Sequence, residues 1–366
     1  MSELTQDHLS EQQYWMQQAI ALARRGQYST KPNPNVGCVI VKEGQLIGEG
    51  YHPKAGQPHA EVFALRQAGD NAQGATAYVT LEPCAHYGRT PPCAEALVKA
   101  QVKKVVVACS DPNPLVAGKG VQILQAAGIE VEKGVCAETA KTLNLGFLKA
   151  MSTGLPYIRL KIASSLDGRT AMASGESKWI TGTAARQDVQ HWRAISGAVI
   201  TGIQTVLADD CELNVRGLDG IELSTVVQPK RIVLDRQGRL PLSAKILQNP
   251  ETVMVMTPFR QELADIGVIQ LPPQALNQLL QTLTQQYQIY DVLVEAGATL
   301  STAFLQQGLV DEMISYVAPT LLGQSARAMF NAEFSKMAEQ LRFELVDVTQ
   351  LGQDIRLRLL PIQEMI

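Results

Sequence analysis

The apolar pattern in the first part of the chain switches between helical and strand spacing. A helix is predicted from Ser10, because Gln13 completes a capping box three residues on, and Gly26 ends it. The runs 36–41 and 46–51 predict a hairpin. The pattern then predicts a helix from His59 to Gly69, a strand over 76–81, a helix from Cys93, a strand over 105–109, a helix over 121–127 and a strand over 129–131. Such alternation is typical of an α/β fold layered around one sheet.

A second series of the same kind fills the rest of the chain. The stretch from Thr142 to Pro156 is predicted as the end of a helix and a linker. Beyond it the pattern predicts strands over 156–163, 198–200, 231–234, 252–256, 291–295 and 313–317, helices over 184–195, 276–287 and 299–307, and a terminal hairpin over 343–346 and 355–359. The 366 residues therefore predict two α/β domains, over 1–150 and 151–366.

Composition narrows the class of protein. The net charge is only −3 and no basic block appears, so no nucleic-acid partner is expected. No apolar run approaches a membrane span, and the N-terminus has no secretory hydrophobic stretch. Six cysteines in so long a chain argue against a disulfide framework. A cytoplasmic protein that binds neither nucleic acid nor membrane is expected.

Candidate chemistry is densest between His59 and Cys93. His59, Cys84 and Cys93 offer one imidazole and two thiols, the ligand set of a zinc site that keeps a fourth position open for water. Glu61 is the proton carrier that such a water needs, as in the zinc deaminases. On an ideal helix His59 and Glu61 would lie about 200° apart. They converge only if His59 lies at or just before the first helical residue, a boundary that Pro58 favours.

Two other interpretations of these residues stay open at this point. A structural zinc site would also use cysteine and histidine, with His86 as a fourth ligand. Such sites usually pair their cysteines at C-x2–4-C spacing, whereas eight residues separate Cys84 from Cys93. A metal-free reduced core is the second possibility. The position of Cys93 at a helix start speaks against it, since a helix start favours the thiolate that a metal requires.

The second domain has no Gly-x-Gly-x-x-Gly or Walker pattern, so its residues alone predict only a ligand-binding α/β domain. One local feature says more. The segment 294–300 is a strand that passes through a turn of small residues into a helix. Small residues let backbone N–H groups approach an anion, and a helix start favours negative charge, although packing alone often explains such a glycine.

Motifs in both halves together identify a family. The first half contains Asn-Pro-Asn-Val-Gly at 33–37, Gly-Tyr-His-Pro-Lys-Ala-Gly at 50–56, His-Ala-Glu at 59–61 and Cys-Ala-His-Tyr-Gly-Arg-Thr-Pro-Pro-Cys at 84–93. The second contains Ser-Ser-Leu-Asp-Gly-Arg-Thr-Ala at 164–171, Gly-Glu-Ser-Lys-Trp-Ile-Thr at 175–181 and Thr-Val-Leu-Ala-Asp-Asp at 205–210. Over nearly its whole length the chain resembles the bifunctional riboflavin-biosynthesis deaminase/reductases. The resemblance implies a cytidine-deaminase-like zinc domain followed by a dihydrofolate-reductase-like α/β reductase domain.

The resemblance also implies two reactions and their cofactors. The first is zinc-dependent hydrolytic deamination of 2,5-diamino-6-ribosylamino-4(3H)-pyrimidinone 5′-phosphate. The second is NADPH-dependent reduction of the ribosyl side chain, which gives 5-amino-6-ribitylamino-uracil 5′-phosphate. Zn²⁺ and NADPH are the implied cofactors, the partner is a small phosphorylated pyrimidine, and a homo-oligomer is expected.

Site residues can be carried over position by position. In the deaminase half, Glu61 matches the catalytic residue, and Asn33, His52 and His86 match positions near the substrate, although Asn33 could simply form a turn with Pro34. In the reductase half the cofactor contacts correspond to Ala163, Trp179, Thr205, Asp209, Gly297, Ala298, Thr299, Leu300, Ser301, Thr302 and Ala303. The substrate contacts correspond to Ser177, Arg193, Leu213, Arg216 and Glu295. Without the motif matches, Trp179 would be taken for a core aromatic residue and Arg193 for a solvated helix charge.

Two other functions fit part of the sequence. One is another zinc nucleoside or nucleobase deaminase with a regulatory ligand-binding domain. The mild acidity and the match of the second half weigh against it. The other is a non-catalytic, zinc-stabilised binding protein, but a structural site has no need of Glu61.

Overall fold

The computed structural model describes residues 10–85, 87, 91–113 and 116–362, and it divides the chain into two compact units that meet between Gly154 and Leu155. The first unit contains helices α1 (Glu11–Arg24), α2 (Ala60–Ala68), α3 (Cys93–Lys99), α4 (Lys119–Ala126), α5 (Ala137–Lys141) and α6 (Leu145–Thr153). Its strands are β1 (Gly37–Lys42), β2 (Gln45–Tyr51), β3 (Thr76–Leu81), β4 (Lys104–Cys109) and β5 (Glu130–Lys133).

The first unit is built around a five-stranded sheet of order β2-β1-β3-β4-β5, in which β1 is antiparallel to β2 and β3, and β3, β4 and β5 are parallel. Successive strand residues point to opposite faces of the sheet. Ile40 and Val79 therefore pack with α2, α3 and α4, while Val39 and Tyr78 pack with α1. The sheet is thus covered on both faces, as the sequence predicts.

The predicted start of α1 is confirmed in detail, since the Ser10 and Gln13 side chains form the reciprocal capping box. The prediction for the stretch from Thr142 to Pro156 is wrong in one respect. Most of it is helix α6, whose Phe147 and Leu148 pack on the same face of the sheet as α1. The apolar residues of this short helix have a tertiary partner that the local pattern does not reveal.

The second unit contains five helices and eleven strands among its described residues. Its helices are α7 (Thr183–Ile195), α8 (Ile203–Asp209), α9 (Gln261–Asp265), α10 (Leu276–Tyr287) and α11 (Ala298–Gln306). Its strands are β6 (Tyr157–Ser165), β7 (Arg169–Ala171), β8 (Ala198–Gly202), β9 (Lys230–Leu234), β10 (Val253–Met256), β11 (Ile269–Leu271), β12 (Asp291–Glu295), β13 (Glu312–Ala318), β14 (Arg327–Ala328), β15 (Phe343–Leu351) and β16 (Asp354–Pro361). The predictions had not included β7, α8, α9, β11 and β14, which are mostly too short to show periodicity.

Nine of these strands form one sheet of order β11-β10-β9-β8-β12-β6-β13-β16-β15. The strands from β11 to β13 are parallel to their neighbours, and β16 and β15 add antiparallel pairs. The predicted antiparallel finish is therefore confirmed. The carboxyl ends of the parallel strands meet at one edge, where open α/β sheets usually bind their ligands.

No helix among the described residues is both long and apolar enough to span a membrane.

Candidate active sites

Three potential zinc ligands converge in the first unit. His59 is the N-cap of α2, Cys93 is the first residue of α3, and Cys84 follows β3. The His59 Nδ1 atom lies 3.6 Å from the Cys84 Sγ atom and 3.3 Å from the Cys93 Sγ atom. Ligand atoms of all three residues lie within 4.8 Å of one another. An imidazole and two thiols at this separation fit a zinc ion with one position left for water or substrate.

The protonation states of the two cysteines favour the binding of a metal cation. The pKa of Cys84 is lowered to about 4, because the Cys93 thiol donates a hydrogen bond to its thiolate and the His59 ring adds a second. The pKa of Cys93 is raised well above its ordinary value by the same hydrogen bond and by burial. The Cys93 backbone N–H also points at the Cys84 Sγ atom, at 3.3 Å. One thiolate is thus already stabilised, and a metal would replace the proton shared by the two sulfurs.

Glu61 lies beside these ligands in the first turn of α2, with only 3% of its surface exposed. Because His59 is an extended N-cap residue (φ −78°, ψ 168°), its side chain is not held to helical spacing and can face the same site as Glu61. Burial, and then the charge of Cys84, raise the pKa of the Glu61 carboxyl. Its Oε2 atom is buried without a hydrogen-bond partner among the described residues. Such an oxygen is suited to accept a hydrogen bond or a proton from a water molecule or from the substrate.

Asn33 and His52 form a second pair in this unit. The His52 Nδ1 atom lies 3.1 Å from the Pro58 carbonyl oxygen, so the ring donates from Nδ1 and its Nε2 atom is left to accept. The Asn33 Nδ2 atom lies 3.0 Å from that Nε2 atom. This arrangement fixes the amide of Asn33 with its nitrogen towards His52, which leaves the Asn33 oxygen to accept a hydrogen bond from a ligand.

Residues outside the predicted set hold these loops in place. The side chain of Asn144 bonds both the N–H and the carbonyl of Asn35, at 2.7 and 2.9 Å, and so anchors the segment that carries Asn33. Glu82 is buried and accepts the Val121 N–H at 3.4 Å. A Cβ atom at Gly120 would lie 2.0 Å from the Pro83 carbonyl oxygen, so only glycine lets α4 approach the Cys84 loop so closely. No local signal marks Asn144 as a support, because its partner is 109 positions away.

The predicted substrate residue His86 lies outside the described residues.

In the second unit, a buried ion cluster connects β12, α7 and β6. The Arg193 Nε and Nη2 atoms donate to the two Glu295 carboxylate oxygens at 2.6 and 3.0 Å, and the Lys161 Nζ atom lies 3.2 Å from Glu295 Oε2. Burial alone would raise the pKa of Glu295, but the charges of Arg193 and Lys161 outweigh it and lower this pKa to about 2. Glu295 is therefore a fixed anion. Lys161, which stands opposite it in the strand register, was missed because no motif marked it.

The predicted cofactor residues lie at or just after the carboxyl ends of adjacent parallel strands. Ala163 lies near the end of β6, Thr205 and Asp209 lie in α8 after β8, and the turn at Gly297 follows β12. A Cβ atom at Gly297 would meet nothing within 4 Å, so the start of α11 is open to a ligand. Since β8, β12 and β6 are neighbours, these residues share one edge of the sheet.

Two of the predicted cofactor residues, Ser301 and Thr302, lie within α11 and face inward. The Ser301 hydroxyl donates to the Ala296 carbonyl at 3.2 Å, and the Thr302 hydroxyl oxygen accepts the Asn331 N–H at 2.9 Å. Both side chains are buried. Both hydroxyls are therefore engaged within the chain, and the Ser301 N–H is bonded to the Gly297 carbonyl oxygen at 3.1 Å.

The remaining predicted contacts lie in two loops. The Ser177 hydroxyl donates to the Asp209 carboxylate at 3.1 Å, which joins a predicted substrate residue to a predicted cofactor residue. Leu213 has a left-handed backbone (φ 57°) and is buried, so only its main chain can face a ligand. Arg216 is exposed, and its N–H is held by Gln190 at 3.0 Å.

Two arginines at the end of β9 were not predicted. The Arg236 Nη2 atom donates to the Gln274 carbonyl at 3.1 Å, and the Arg239 Nη1 atom donates to the Gln204 side-chain oxygen at 2.9 Å. Within the described part of the chain, neither arginine is paired with a carboxylate. They follow β9, the neighbour of β8 in the sheet, and so lie at the same edge. Guanidinium groups there could bind an anionic part of a ligand.

The fold and the two sites define a zinc-binding deaminase unit followed by a second α/β ligand-binding unit. Family models agree, since residues 9–109 match the cytidine and deoxycytidylate deaminase zinc-binding region and residues 156–357 match the RibD C-terminal domain. The chain belongs to the RibD family, the bifunctional deaminase–reductases of riboflavin biosynthesis.

Individual relatives support this assignment. The chain is 50% identical to riboflavin biosynthesis protein RibD of Escherichia coli over 361 residues, which cover 95% of this chain and 98% of the relative. The structure of Acinetobacter baumannii RibD in form 1 superposes with a TM-score of 0.95 at 82% identity, and covers 96% of this chain and 99% of that one.

A structure from Thermotoga maritima, described as a diaminohydroxyphosphoribosylaminopyrimidine deaminase/5-amino-6-(5-phosphoribosylamino)uracil reductase, superposes with a TM-score of 0.86 at 33% identity. It covers 96% of this chain and 99% of that chain. The family, the fold class and the two activities predicted from the sequence are thus confirmed. The alternative, another zinc deaminase with a regulatory domain, is not favoured, because the second half matches the RibD reductase domain.

Proposed function

We propose that the first unit hydrolytically deaminates 2,5-diamino-6-ribosylamino-4(3H)-pyrimidinone 5′-phosphate and that the second then reduces the ribosyl chain of the product with NADPH. The Thermotoga maritima protein is described by this pair of activities. In this chain, the observation that carries the proposal is the buried Glu61 oxygen without a partner beside the His59, Cys84 and Cys93 cluster. We further propose that each unit is one functional domain, with the boundary near residue 150.

The metal-dependent step relies on His59, Cys84 and Cys93 as zinc ligands and on Glu61 as the proton carrier. Zinc in such a site supplies a water nucleophile at neutral pH. Glu61 accepts a proton from the attacking water and passes it to the pyrimidine ring nitrogen, and then transfers the remaining proton of the added hydroxyl to the departing amine. Its raised pKa suits this task, because a carboxyl that titrates closer to neutrality both accepts and returns a proton readily.

Asn33 and His52 orient the pyrimidine. With its amide nitrogen held by His52, Asn33 presents an oxygen that can accept only from an N–H or O–H group. The amino groups of the diaminopyrimidine provide such donors. His86 is retained as a third substrate residue on the family resemblance alone.

In the second unit, Arg216 is the better phosphate ligand of the two predicted arginines. The Arg193 guanidinium is occupied by Glu295 and by the Asn214 carbonyl oxygen at 3.2 Å, whereas Arg216 is exposed. Held as a fixed anion, Glu295 can accept hydrogen bonds from the ribosyl hydroxyls. Ser177 and the main chain of Leu213 complete the substrate contacts.

NADPH, when bound, supplies the hydride. We assign its binding to Ala163, Trp179, Thr205, Asp209 and the start of α11 from Gly297 to Ala303, together with Arg236 and Arg239. The open backbone at Gly297 suits the pyrophosphate, because helix starts favour anions. The two arginines lie where a further phosphate on the cofactor would find cationic partners.

A homo-oligomer in the cytoplasm is also part of the proposal. Strand β15 is the outer strand of the sheet, and Leu345, Val346 and Val348 on it are exposed by 55%, 42% and 56%. An exposed apolar edge strand is a ready surface for a second copy of the chain. All six cysteines are free, which suits a reducing compartment.

The proposal is tested by incubating the purified protein with the diaminopyrimidine phosphate, with and without NADPH, and measuring product masses. Without NADPH the product should have one amino group replaced by oxygen, with release of ammonia. With NADPH it should also have gained two hydrogen atoms. Reduction of the substrate before deamination would contradict the proposed order, and no reaction in either arm would contradict the substrate.

A further inference from the structure

Trp179 lies in the loop between β7 and α7 and is 69% exposed. An indole so exposed ordinarily changes rotamer freely, and a cofactor that stacks on it would have to pay for ordering it. A neighbouring group that holds the ring in advance would lower that cost.

Arg186, in the first turn of α7, is such a group. Its guanidinium carbon lies 4.5 Å from the centroid of the Trp179 ring. The same guanidinium donates from Nη1 to the Thr181 carbonyl oxygen at 2.5 Å and from Nη2 to the Thr183 hydroxyl oxygen at 3.0 Å. Its planar fork is thereby fixed by the loop backbone and by the helix start. Among the described residues, Arg186 forms no ion pair with a carboxylate, so its contacts are with this loop and the ring.

Both ends of the loop are anchored independently of the ring. Downstream, the Gly182 N–H donates to the Asp354 carboxylate at 2.7 Å, and Asp354 is only 3% exposed. Upstream, Ser177 and Lys178 bond the Asp209 side chain and carbonyl at 3.1 and 3.0 Å. The backbone on either side of Trp179 is therefore fixed, and the indole is the part that Arg186 stabilises.

We propose that Arg186 is a positioning residue for the nicotinamide cofactor: by covering one face of the Trp179 ring, it holds the other face ready for the cofactor. The inference rests on the proposed function, in which Trp179 contacts NADPH. Arg186 acts only through Trp179, so its loss should weaken NADPH binding. Substrate binding should be spared, because Ser177 is held by Asp209 and not by Arg186.

The test is a double-mutant cycle on the full-length protein with Arg186→Met, Trp179→Ala and the double variant. The dissociation constant of NADPH, its KM and the KM of the deaminated substrate are measured for each. Arg186→Met should raise the NADPH constants roughly three- to tenfold, as expected for the loss of a cation–π contact that orders the Trp179 ring. It should leave the substrate KM unchanged and have no further effect when Trp179 is already alanine.

Matched control variants test whether the effect on NADPH binding is specific to Arg186. Arg66 lies over the Phe63 ring at 5.8 Å on a helix of the other unit, so Arg66→Met removes a similar contact and should leave the NADPH constants unchanged. Arg186→Lys keeps the charge and should restore part of the affinity. If thermal unfolding shows that Arg186→Met disturbs the fold, the same comparison is made with Arg186→Lys in the two Trp179 backgrounds.

The outcomes separate the two levels of the proposal. If Trp179→Ala raises the NADPH constants and Arg186→Met does so only when Trp179 is present, Arg186 has the proposed role. If Arg186→Met has no effect, or an equal effect without Trp179, the positioning role is wrong while the cofactor site stands. If Trp179→Ala itself leaves NADPH binding unchanged, the assignment of Trp179 to the cofactor fails, and the role of Arg186 fails with it.

Discussion

The two sites of this chain are assembled in opposite ways. The proposed zinc ligands come from a short stretch, with His59 and Cys93 only 34 positions apart, and two of them lie at helix starts. In the reductase unit, the ion pair of Arg193 and Glu295 joins residues 102 positions apart, through parallel strands and a helix. The residues of the first site can therefore be recognised from local motifs, whereas those of the second come together only once the sheet has formed.

A buried glutamate has opposite roles in the two sites. Glu61 has an oxygen without a partner among the described residues, and burial raises its pKa. Glu295 is also buried, but two cations outweigh the burial and lower its pKa to about 2. The first is suited to move a proton and the second to hold a charge, so the neighbours, not the residue type, decide the role. Substitutions at these residues and their neighbours should therefore affect the two units in different ways.

Replacing Cys84 by serine should remove the zinc and abolish deamination, because a neutral hydroxyl replaces a thiolate ligand. NADPH-dependent reduction of the deaminated intermediate should continue, since its residues lie in the other unit. Metal analysis and ammonia release on one preparation check this. Cys136→Ser, a half-exposed cysteine outside the cluster, is the matched control and should keep one zinc per chain. Full metal content and activity in Cys84→Ser would show that the ligand assignment is wrong.

Glu61→Gln should retain zinc and lose the deaminase rate by about two to four orders of magnitude, because glutamine has a similar shape but cannot carry the proton. NADPH oxidation with the deaminated intermediate should change little. Metal analysis, ammonia release and NADPH oxidation are measured together. Near-normal ammonia release from the zinc-loaded variant would exclude Glu61 from the mechanism.

Arg193→Met should lower the free energy of unfolding of the reductase unit by about 3 kcal/mol, since it leaves a buried carboxylate with only one cation. Denaturant unfolding measures the loss. The double variant Arg193→Met/Glu295→Gln should recover part of it, because the uncompensated charge is gone. A single variant as stable as the parent would mean that Lys161 alone neutralises Glu295.

Arg216→Ala should raise the KM of the deaminated substrate about tenfold, the value of one hydrogen bond to a charged group. The KM of NADPH in the same assay serves as the internal control and should stay within experimental error. Equal losses for both ligands would instead place Arg216 in a shared structural role.

The smallest effect concerns pH. Because the folded-state pKa of Glu295 lies below its ordinary value, its stabilisation is fully present above an ordinary carboxyl pKa of about 4.3 and is lost as the pH falls towards 2. Glu295→Gln should therefore make the unfolding free energy of this unit less dependent on pH between about 5 and 3. Denaturant titrations at both pH values check the slope, and an unchanged slope would argue against the stabilised carboxylate.

The sequence by itself determined most of the elements, and it also supplied the residues that are proposed as the zinc site. The capping box at Ser10, the placement of His59 at the boundary of α2 and the start of α3 at Cys93 are local features, and the structure has them as predicted. Motifs at fixed spacing identified the family for the same reason. Backbone preference and short-range hydrogen bonding act over a few residues and so leave a readable trace.

Only the tertiary structure decided which distant residues support the sites. Helix α6 exists because its apolar residues have a sheet face to cover, and Asn144 supports Asn33 across the fold. Lys161 joins Glu295 because the register of β12 and β6 pairs them. Chain topology brings together residues that no short sequence window contains. Burial then lowers the local dielectric, which strengthens the interactions between them.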